Sequence, residues 1–172
     1  MREYLFRPGA SVPLAPGPAE DEMLAAVTGS GIPYVEVTYR PPCDDPGWQA
    51  KLRASLADGG VNINTVHAPF GAPVDISSED EAVRATGVAV VEASIRYAEG
   101  VGAAILVVHG SMEPIAPADR DKREALARAS LLGLCARAAD AGVRIAVELL
   151  PRTCLGNTPE GLRRLLDGVP TE

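Results

Sequence analysis

The sequence predicts an α/β protein that folds as a parallel (β/α) barrel, with about five βα units present. Three observations lead to this fold class. Short apolar segments alternate with longer helical ones, and this pattern demands parallel strands joined by right-handed crossovers. Several helical segments stop at glycine directly before the next apolar segment. No G-x-G-x-x-G or G-x-x-x-x-G-K turn is present, which disfavours the alternative of an open doubly wound sheet.

Four strands are predicted from runs of apolar, β-branched and aromatic residues. They cover residues 34–39, 61–66, 103–108 and 143–147. The last two are short and almost continuously apolar, as expected for strands that are buried on both faces. An earlier strand is also predicted to begin at Tyr4-Leu5-Phe6.

Five helices are predicted between and after these strands. They cover residues 21–28, 48–57, 79–99 and 119–141, and the fifth begins at Thr158. The 79–99 helix is expected to open with a capping box of Ser78 and Glu81, in which each side chain binds a free backbone N–H. Thr158 is expected to cap the last helix, because proline follows at the first helical position. The 119–141 helix has a broad apolar face that includes Cys135.

The number of predicted βα units indicates how much of a closed barrel the chain contains. A closed barrel needs eight βα units, typically in about 250 residues. We therefore interpret the 172-residue chain as a single domain, residues 1–172, that forms the N-terminal part of an eight-unit barrel of the TIM-barrel type. Its hydrophobic content of 47% is sufficient for one core of this kind.

Composition disfavours several classes of protein. A formal net charge of −7 argues against a general affinity for nucleic-acid backbones or anionic membranes. No segment approaches the ~20 consecutive apolar residues that cross a bilayer, and the N-terminus lacks the layout of a signal peptide. Cys43, Cys135 and Cys154 are odd in number and widely spaced, so neither a disulfide framework nor a structural zinc site is expected. The cytoplasm is the expected location.

Three polar residues occupy equivalent positions at the ends of three predicted strands. His67, His109 and Glu148 each follow an apolar run, and a loop former follows each of them within three residues. The carboxyl ends of parallel strands lie on one face of the fold, so these side chains should converge. They include both histidines of the chain. Neutral imidazoles and a carboxylate are suitable ligands for zinc, manganese or iron, so the sequence predicts a metal-dependent active-site pocket.

Two residues on the predicted strands carry alternative interpretations. Glu36 lies inside the 34–39 strand and is expected to face the pocket, where it contacts a cation or the substrate. Equally, it could form a buried salt bridge with an arginine such as Arg7 or Arg40. Asn64 is expected to face the barrel near His67.

Charged residues in the loops and at helix starts are interpreted more simply. Arg152 and Asn157 lie in the loop after Glu148, where Arg152 meets either solvent or an anionic or polyol substrate, and solvent is favoured. The charge cluster from Asp119 to Glu124 is interpreted as a solvated helix start without a function.

Five stretches of sequence carry a family resemblance. In chain order they are 31–37 (GIPYVEV), 66–71 (VHAPFG), 107–111 (VVHGS), 146–151 (AVELLP) and 156–160 (GNTPE). Together they resemble the xylose isomerase-like superfamily of TIM barrels, which contains sugar isomerases and epimerases and the endonuclease IV-type apurinic endonucleases. The resemblance covers essentially the whole chain, and it depends on the order and spacing of the stretches rather than on any single motif.

The resemblance implies residue roles that differ between two branches of this superfamily. In the sugar branch the position of Glu148 is a metal ligand and one of two glutamates that move a proton beside a carbonyl. The positions of His67 and His109 line the substrate pocket there, and we expect Glu36 to contribute to the same pocket. In the endonuclease branch His67, His109 and Glu148 all match zinc ligands. The implied cofactor is a divalent ion: manganese, magnesium, cobalt or zinc.

The chain departs from the family in one respect. It has no counterpart of the sixth-strand aspartate, the later histidines and the eighth-strand glutamate that complete the metal site, so we expect the 172-residue chain alone to be inactive. The favoured interpretation is a metal-dependent sugar or sugar-phosphate isomerase or epimerase with a small sugar or polyol substrate.

Two alternatives remain open at this point. One is a zinc-dependent apurinic-site endonuclease, which the acidic loop 71–80 disfavours because DNA-binding loops should be basic. The other is a non-catalytic half barrel that needs a partner and exposes its strand edges. A homo-oligomer is compatible with each interpretation.

Overall fold

The structure, a computed structural model, describes residues 8–170. These residues form five strands and five α-helices that alternate along the chain. The strands are β1 (Gly9–Val12), β2 (Tyr34–Thr38), β3 (Asn62–His67), β4 (Ile105–Val108) and β5 (Arg144–Val147). The helices are α1 (Glu20–Thr28), α2 (Pro46–Asp58), α3 (Glu81–Val101), α4 (Arg120–Asp140) and α5 (Pro159–Leu165).

All five strands form one parallel sheet whose spatial order, β1-β2-β3-β4-β5, is also the order of the chain. A doubly wound sheet reverses its strand order at a switch point, whereas a (β/α) barrel adds each strand beside the previous one. The predicted barrel-type fold is therefore confirmed, and the doubly wound alternative is wrong. Strands β2 to β5 lie where the sequence predicted them, with ends shifted by one or two residues.

The first strand differs from the prediction. The predicted start at Tyr4-Leu5-Phe6 lies outside the described residues, and the strand that the structure contains is β1, with the sequence GASV. This segment carries no long apolar run, so only its pairing identifies it as a strand. Gly9 lies opposite Tyr34 and Val12 opposite Val37 in a parallel register.

The two faces of the sheet differ in burial. Val37, Val66 and Leu106 point towards the helices and are fully buried, and we call this side the outer face. Side chains alternate between the faces of a strand. Glu36 and Val107 therefore lie on the opposite side, the inner face, where they are only half-buried. The hydrophobic core of the described residues thus lies between the sheet and its helices.

Helix α3 is capped by a different residue from the one predicted. The Asp80 carboxylate accepts hydrogen bonds from the backbone N–H groups of Ala82 and Val83, at 2.9 and 3.3 Å. Ser78 instead accepts a bond from the N–H of Asp80, so the predicted capping box of Ser78 and Glu81 is wrong. The carboxylate directly before the first helical residue is the stronger cap.

At α5 the predicted cap is confirmed. Thr158 Oγ1 accepts a hydrogen bond of 3.0 Å from the N–H of Gly161, and Pro159 is the first helical residue. Extended backbone at Thr158 turns the chain into the helix and leaves the threonine hydroxyl facing the free N–H groups of the first turn.

The charged start of α4 is only partly solvated: residues 119, 121 and 122 are exposed, as predicted, but the last two residues of the cluster are not. Glu124 is only 7% exposed. It accepts hydrogen bonds from Arg128 at 3.1 Å and from Arg164 at 3.2 Å. The Arg123 side chain is only 14% exposed. These charges are buried because they bind neighbouring segments of the chain, which the local sequence pattern does not reveal.

The apolar face of α4 is narrower than its sequence suggests. Leu131 and Leu134 are fully buried, whereas Leu132 is 43% exposed. Cys135 is half-buried at the edge of the core. Among the helices of residues 8–170, none has the length and apolar character required to cross a bilayer.

Candidate functional site

The three strand-end residues predicted from the sequence converge at one edge of the sheet. His67 is the last residue of β3, and His109 and Glu148 directly follow β4 and β5. Glu148 Oε2 lies 3.3 Å from His67 Nε2 and 2.9 Å from His109 Nε2. One potential ligand atom of each residue lies within 4.8 Å of the other two. We call these three residues the candidate centre.

The tautomer of His67 is fixed by its neighbour in the chain. His67 Nδ1 lies 2.7 Å from the backbone oxygen of Ala68. A carbonyl oxygen only accepts, so Nδ1 carries the proton in the neutral ring and Nε2 presents a lone pair. That lone pair faces the Glu148 carboxylate, an arrangement that a cation between the two groups would stabilise. Histidine ligands of metals often donate their second N–H to a backbone carbonyl in this way.

His109 is prepared for the same role by its surroundings. Burial lowers the pKa of His109, and the neighbouring His67 contributes in the same direction. The Glu148 carboxylate opposes this change in pKa without reversing it. A neutral imidazole keeps the lone pair that binds a metal ion. Two neutral imidazoles and one carboxylate are a donor set that suits several divalent ions.

The backbone around β4 and β5 holds the centre close to the core. The N–H of Glu148 donates a 3.0 Å hydrogen bond to the Val108 carbonyl, which extends the pairing of the two strands by one residue. Gly110 follows His109, and a Cβ built there would lie 2.8 Å from Leu165 Cδ2. The absence of a side chain at Gly110 therefore allows α5 to pack directly behind the site.

Phe70 is a site residue that the sequence reasoning missed. Its ring stacks on His109, with centroids 4.3 Å apart and planes inclined by 23°. The same ring lies edge-on to His67 at 5.5 Å. These two contacts place the aromatic ring directly beside the candidate centre, although the residue remains 58% exposed. The available signal was an aromatic residue three positions after a strand-end histidine, but the sequence does not show that this loop folds back.

Glu36 lies on the inner face but belongs to a different part of it. Its carboxylate accepts a 2.9 Å hydrogen bond from Thr65 Oγ1, and these two residues are paired in the register of β2 and β3. Within the described residues Arg40 makes no ion pair with it, and Arg7 lies outside them. With Asn64, Glu36 lines a shallow cavity of about 240 Å³ that no residue of the candidate centre lines.

Arg152 and Asn157 shape the loop that follows Glu148. The Arg152 side chain is 71% exposed and forms an ion pair with Glu113, in agreement with the favoured prediction of an exposed loop arginine. Asn157 donates a 2.6 Å hydrogen bond to the Arg152 carbonyl and accepts one from Arg120 at 2.9 Å. Neither residue contacts the candidate centre.

The chain resembles known proteins in sequence and in fold. A sequence profile described as xylose isomerase-like TIM barrel matches residues 24–172. No curated protein matches the sequence. Among solved structures, a D-tagatose 3-epimerase-like protein superposes with a TM-score of 0.80 and 23% identity, over 95% of this chain and 61% of its own.

Two further solved structures show the same relation. An L-ribulose 3-epimerase has a TM-score of 0.80 and 25% identity, over 95% of this chain and 57% of its own. A D-psicose 3-epimerase from Clostridium cellulolyticum has a TM-score of 0.78 and 18% identity, over 94% of this chain and 59% of its own. The chain therefore spans about three fifths of the length of these proteins and forms a partial barrel.

Proposed function

This chain belongs to the xylose isomerase-like TIM barrel family, and we propose on that premise that it is part of a metal-dependent sugar isomerase or epimerase. One observation carries the proposal. His67 and His109 both place Nε2 within 3.3 Å of the same Glu148 carboxylate oxygen, at the carboxyl edge of the sheet. Active sites of (β/α) barrels lie at that edge.

The three residues of the candidate centre would hold the ion through His67 Nε2, His109 Nε2 and one Glu148 oxygen. When bound, a divalent cation supplies a Lewis acid that polarises a carbonyl oxygen of the substrate. Glu148 is 43% exposed, so its second carboxylate oxygen is accessible to remove a proton from the carbon beside that carbonyl. Phe70 covers one face of His109 and excludes water from it.

Inversion at a carbon atom needs proton removal on one face and proton return on the other. Within residues 8–170 the candidate centre contains one carboxylate, Glu148. The second acid–base group would come from barrel units beyond the five described strands, so we expect no epimerisation by the 172-residue chain alone. The substrate would be a small sugar or polyol, and the structural neighbours described above are named for D-tagatose, D-psicose and L-ribulose 3-epimerases.

Metal binding by the chain tests this proposal directly. We expect isothermal titration with Mn²⁺, Co²⁺ and Zn²⁺ to give saturable binding of at least one ion. Glu148→Gln should weaken that binding at least tenfold, because it removes a charged ligand. Glu99→Gln on the exposed surface of α3 is the matched control and should leave the affinity unchanged. Absence of binding by the wild type, or equal affinities of the two variants, would contradict the proposal.

An apurinic-site endonuclease is the second candidate, because all three residues of the candidate centre match the zinc ligands of that branch. The net charge of −7 and the acidic residues of loop 71–80 disfavour it. Incision of an oligonucleotide duplex that contains one abasic site distinguishes the candidates. Zinc-dependent incision that Glu148→Gln abolishes would favour the endonuclease over the sugar enzyme.

The alternative of an assembling half barrel concerns the free end of the sheet. Beside β5 lies a groove of about 380 Å³ whose lining includes the apolar side chains of Leu132, Cys135, Ala139 and Ile145. A further barrel unit or a second chain would cover it. Sedimentation of the purified chain tests the second possibility, and a stable monomer would count against an obligate assembly.

We retain the cytoplasm as the expected location of the protein, since the described cysteines are free thiols.

A further inference from the structure

Each residue of the candidate centre borders a loop, and loops alone are poor at holding a precise geometry. We name the segments by their strands: the β3 loop is residues 68–80, the β4 loop 110–116 and the β5 loop 149–158. We propose that Arg120 and Arg123, in the first turn of α4, are positioning residues that fix these three loops relative to one another. The metal-binding readout below rests on the proposed function, and the spectroscopic readout does not.

Arg123 joins the β3 loop to the β4 loop. Its guanidinium donates from Nη2 to Asp75 Oδ2 and to Ser77 Oγ, the latter at 2.7 Å, and from Nε to Ser77 Oγ at 3.1 Å. The same Nη2 lies 3.3 Å from the Met112 carbonyl of the β4 loop. One planar group therefore links the segment that follows His67 with the segment that follows His109.

Burial makes this link stiff. The side chains of Arg123 and Asp75 are 14% and 8% exposed, and Ser77 is fully buried. Asp75 Oδ1 also accepts bonds from the N–H and the hydroxyl of Ser77, at 2.9 and 2.7 Å. The β3 loop is held from its other side as well, because a Cβ at Gly87 of α3 would lie 2.9 Å from the Asp75 backbone nitrogen. Charge-assisted bonds of this kind are shorter and stronger than neutral ones.

Arg120 acts on the third loop. It donates to the carbonyl oxygens of Thr153 and Cys154, at 3.1 and 3.0 Å, and to Asn157 Oδ1 at 2.9 Å. All three acceptors lie in the β5 loop, downstream of Glu148. Thr153 in turn accepts a bond from the N–H of Ile115 in the β4 loop, at 3.2 Å.

Arg120 and Arg123 lie on a helix, α4, that is anchored to the core. Leu131 and Leu134 of the same helix are fully buried against the sheet. The three loops therefore share one fixed reference, and a change at the start of α4 would alter the separation of the residues that these loops carry. A lysine has no fork of donors, so it could not bind both loops as Arg123 does.

The experiment compares Arg123→Gln with Arg137→Gln. Arg137 lies on the same helix, is 64% exposed and pairs with Glu92 at 3.1 Å, so its replacement removes the same charge away from the loops. The first readout is the NMR spectrum of the histidine rings at one alkaline pH without metal. Because the chain has only two histidines, both in the candidate centre, each ring signal reports on the site. The ring of Phe70 should shift the His109 signals.

We expect Arg123→Gln to reduce that ring-current shift and to broaden both histidine signals, while Arg137→Gln leaves them unchanged. Cobalt titration is the second readout, with an expected loss of roughly tenfold in affinity for Arg123→Gln. Arg123→Lys should restore neither the histidine signals nor the cobalt affinity to the wild-type values. If folded Arg123→Gln gives wild-type histidine signals, the positioning role is overturned. If the wild type binds no cobalt, the proposed function fails while the NMR comparison still decides the positioning role.

A milder variant covers the case in which Arg123→Gln does not fold. Ser77→Ala removes the hydroxyl that accepts two of the guanidinium bonds and leaves the charge pair with Asp75 in place. We expect it to shift the histidine signals in the same direction by a smaller amount. Unchanged signals in folded Ser77→Ala would overturn the proposal. Arg120→Gln should change the His109 signals, because the β5 loop follows Glu148 and Glu148 contacts His109. Wild-type signals in this variant would show that Arg120 is not a positioning residue.

Discussion

The outer and the inner face of the sheet present a clear contrast within one set of strands. On the outer face each helix covers the strands it connects, and residues such as Val37 and Leu106 are fully buried. On the inner face Glu36 and Val107 are half-buried, and the polar residues of the candidate centre lie at its carboxyl edge. The difference shows that the helices present bury most of the outer face, apart from the groove beside β5. Burial of the inner face depends on closure of a barrel.

The largest effect is expected from a matched pair of valines on β4. Val108 is 1% exposed on the outer face, whereas its neighbour Val107 is half-buried on the inner face. Val108→Ala should lower the free energy of unfolding by about 2 kcal/mol, and Val107→Ala by less than about 1 kcal/mol. Urea unfolding measures both. Equal costs would mean that the inner face is also covered, by a second copy of the chain.

A smaller effect is expected at Gly110, where the two regions meet. A Cβ there would approach Leu165 Cδ2 to 2.8 Å, and Leu165 is fully buried. Gly110→Ala should therefore cost about 1 kcal/mol by overpacking. Gly133→Ala on α4 is the control, since nothing lies within 4 Å of its Cβ. It should stabilise the helix by roughly 0.5–1 kcal/mol. A stabilising Gly110→Ala would show that α5 is free to move away from the site.

The smallest effect is expected from the protonation of His109. Burial lowers the pKa of His109 below its ordinary value of 6.5, so the folded protein binds this proton less readily than the unfolded chain. Below pH 6.5 the unfolded state then holds more protons, and the free energy of unfolding falls as the pH falls through that window. His109→Gln should lose less stability than the wild type between neutral and mildly acidic pH. Identical losses in urea unfolding would contradict this assignment.

Much of the fold was predictable because its signals are local. Strands β2 to β5 are marked by apolar runs, and the convergence of His67, His109 and Glu148 follows from parallel strands that end on one face. β1 was not predictable in the same way, since GASV becomes a strand only by pairing with β2.

The features that the sequence did not reveal depend on contacts between distant segments. The sequence suggests that Arg123 is a solvated charge. In the structure it is largely buried, because it forms an ion pair with Asp75, 48 residues away in the chain. Phe70 likewise becomes part of the site only because its loop folds back over His109. The periodicity of a sequence predicts which face of a helix or strand is apolar. It does not predict which polar side chains the fold brings into contact from distant segments.

The identity of spatial and chain order in the sheet has a consequence for synthesis on the ribosome. Each strand after β1 can pair with the strand that emerged just before it, so β2 to β5 need no later partner to be hydrogen-bonded on one side. The candidate centre is assembled in the same direction: His67 emerges first, His109 second and Glu148 last. A nascent chain can therefore bring the two imidazoles together before the carboxylate is synthesised, directly after the fifth strand.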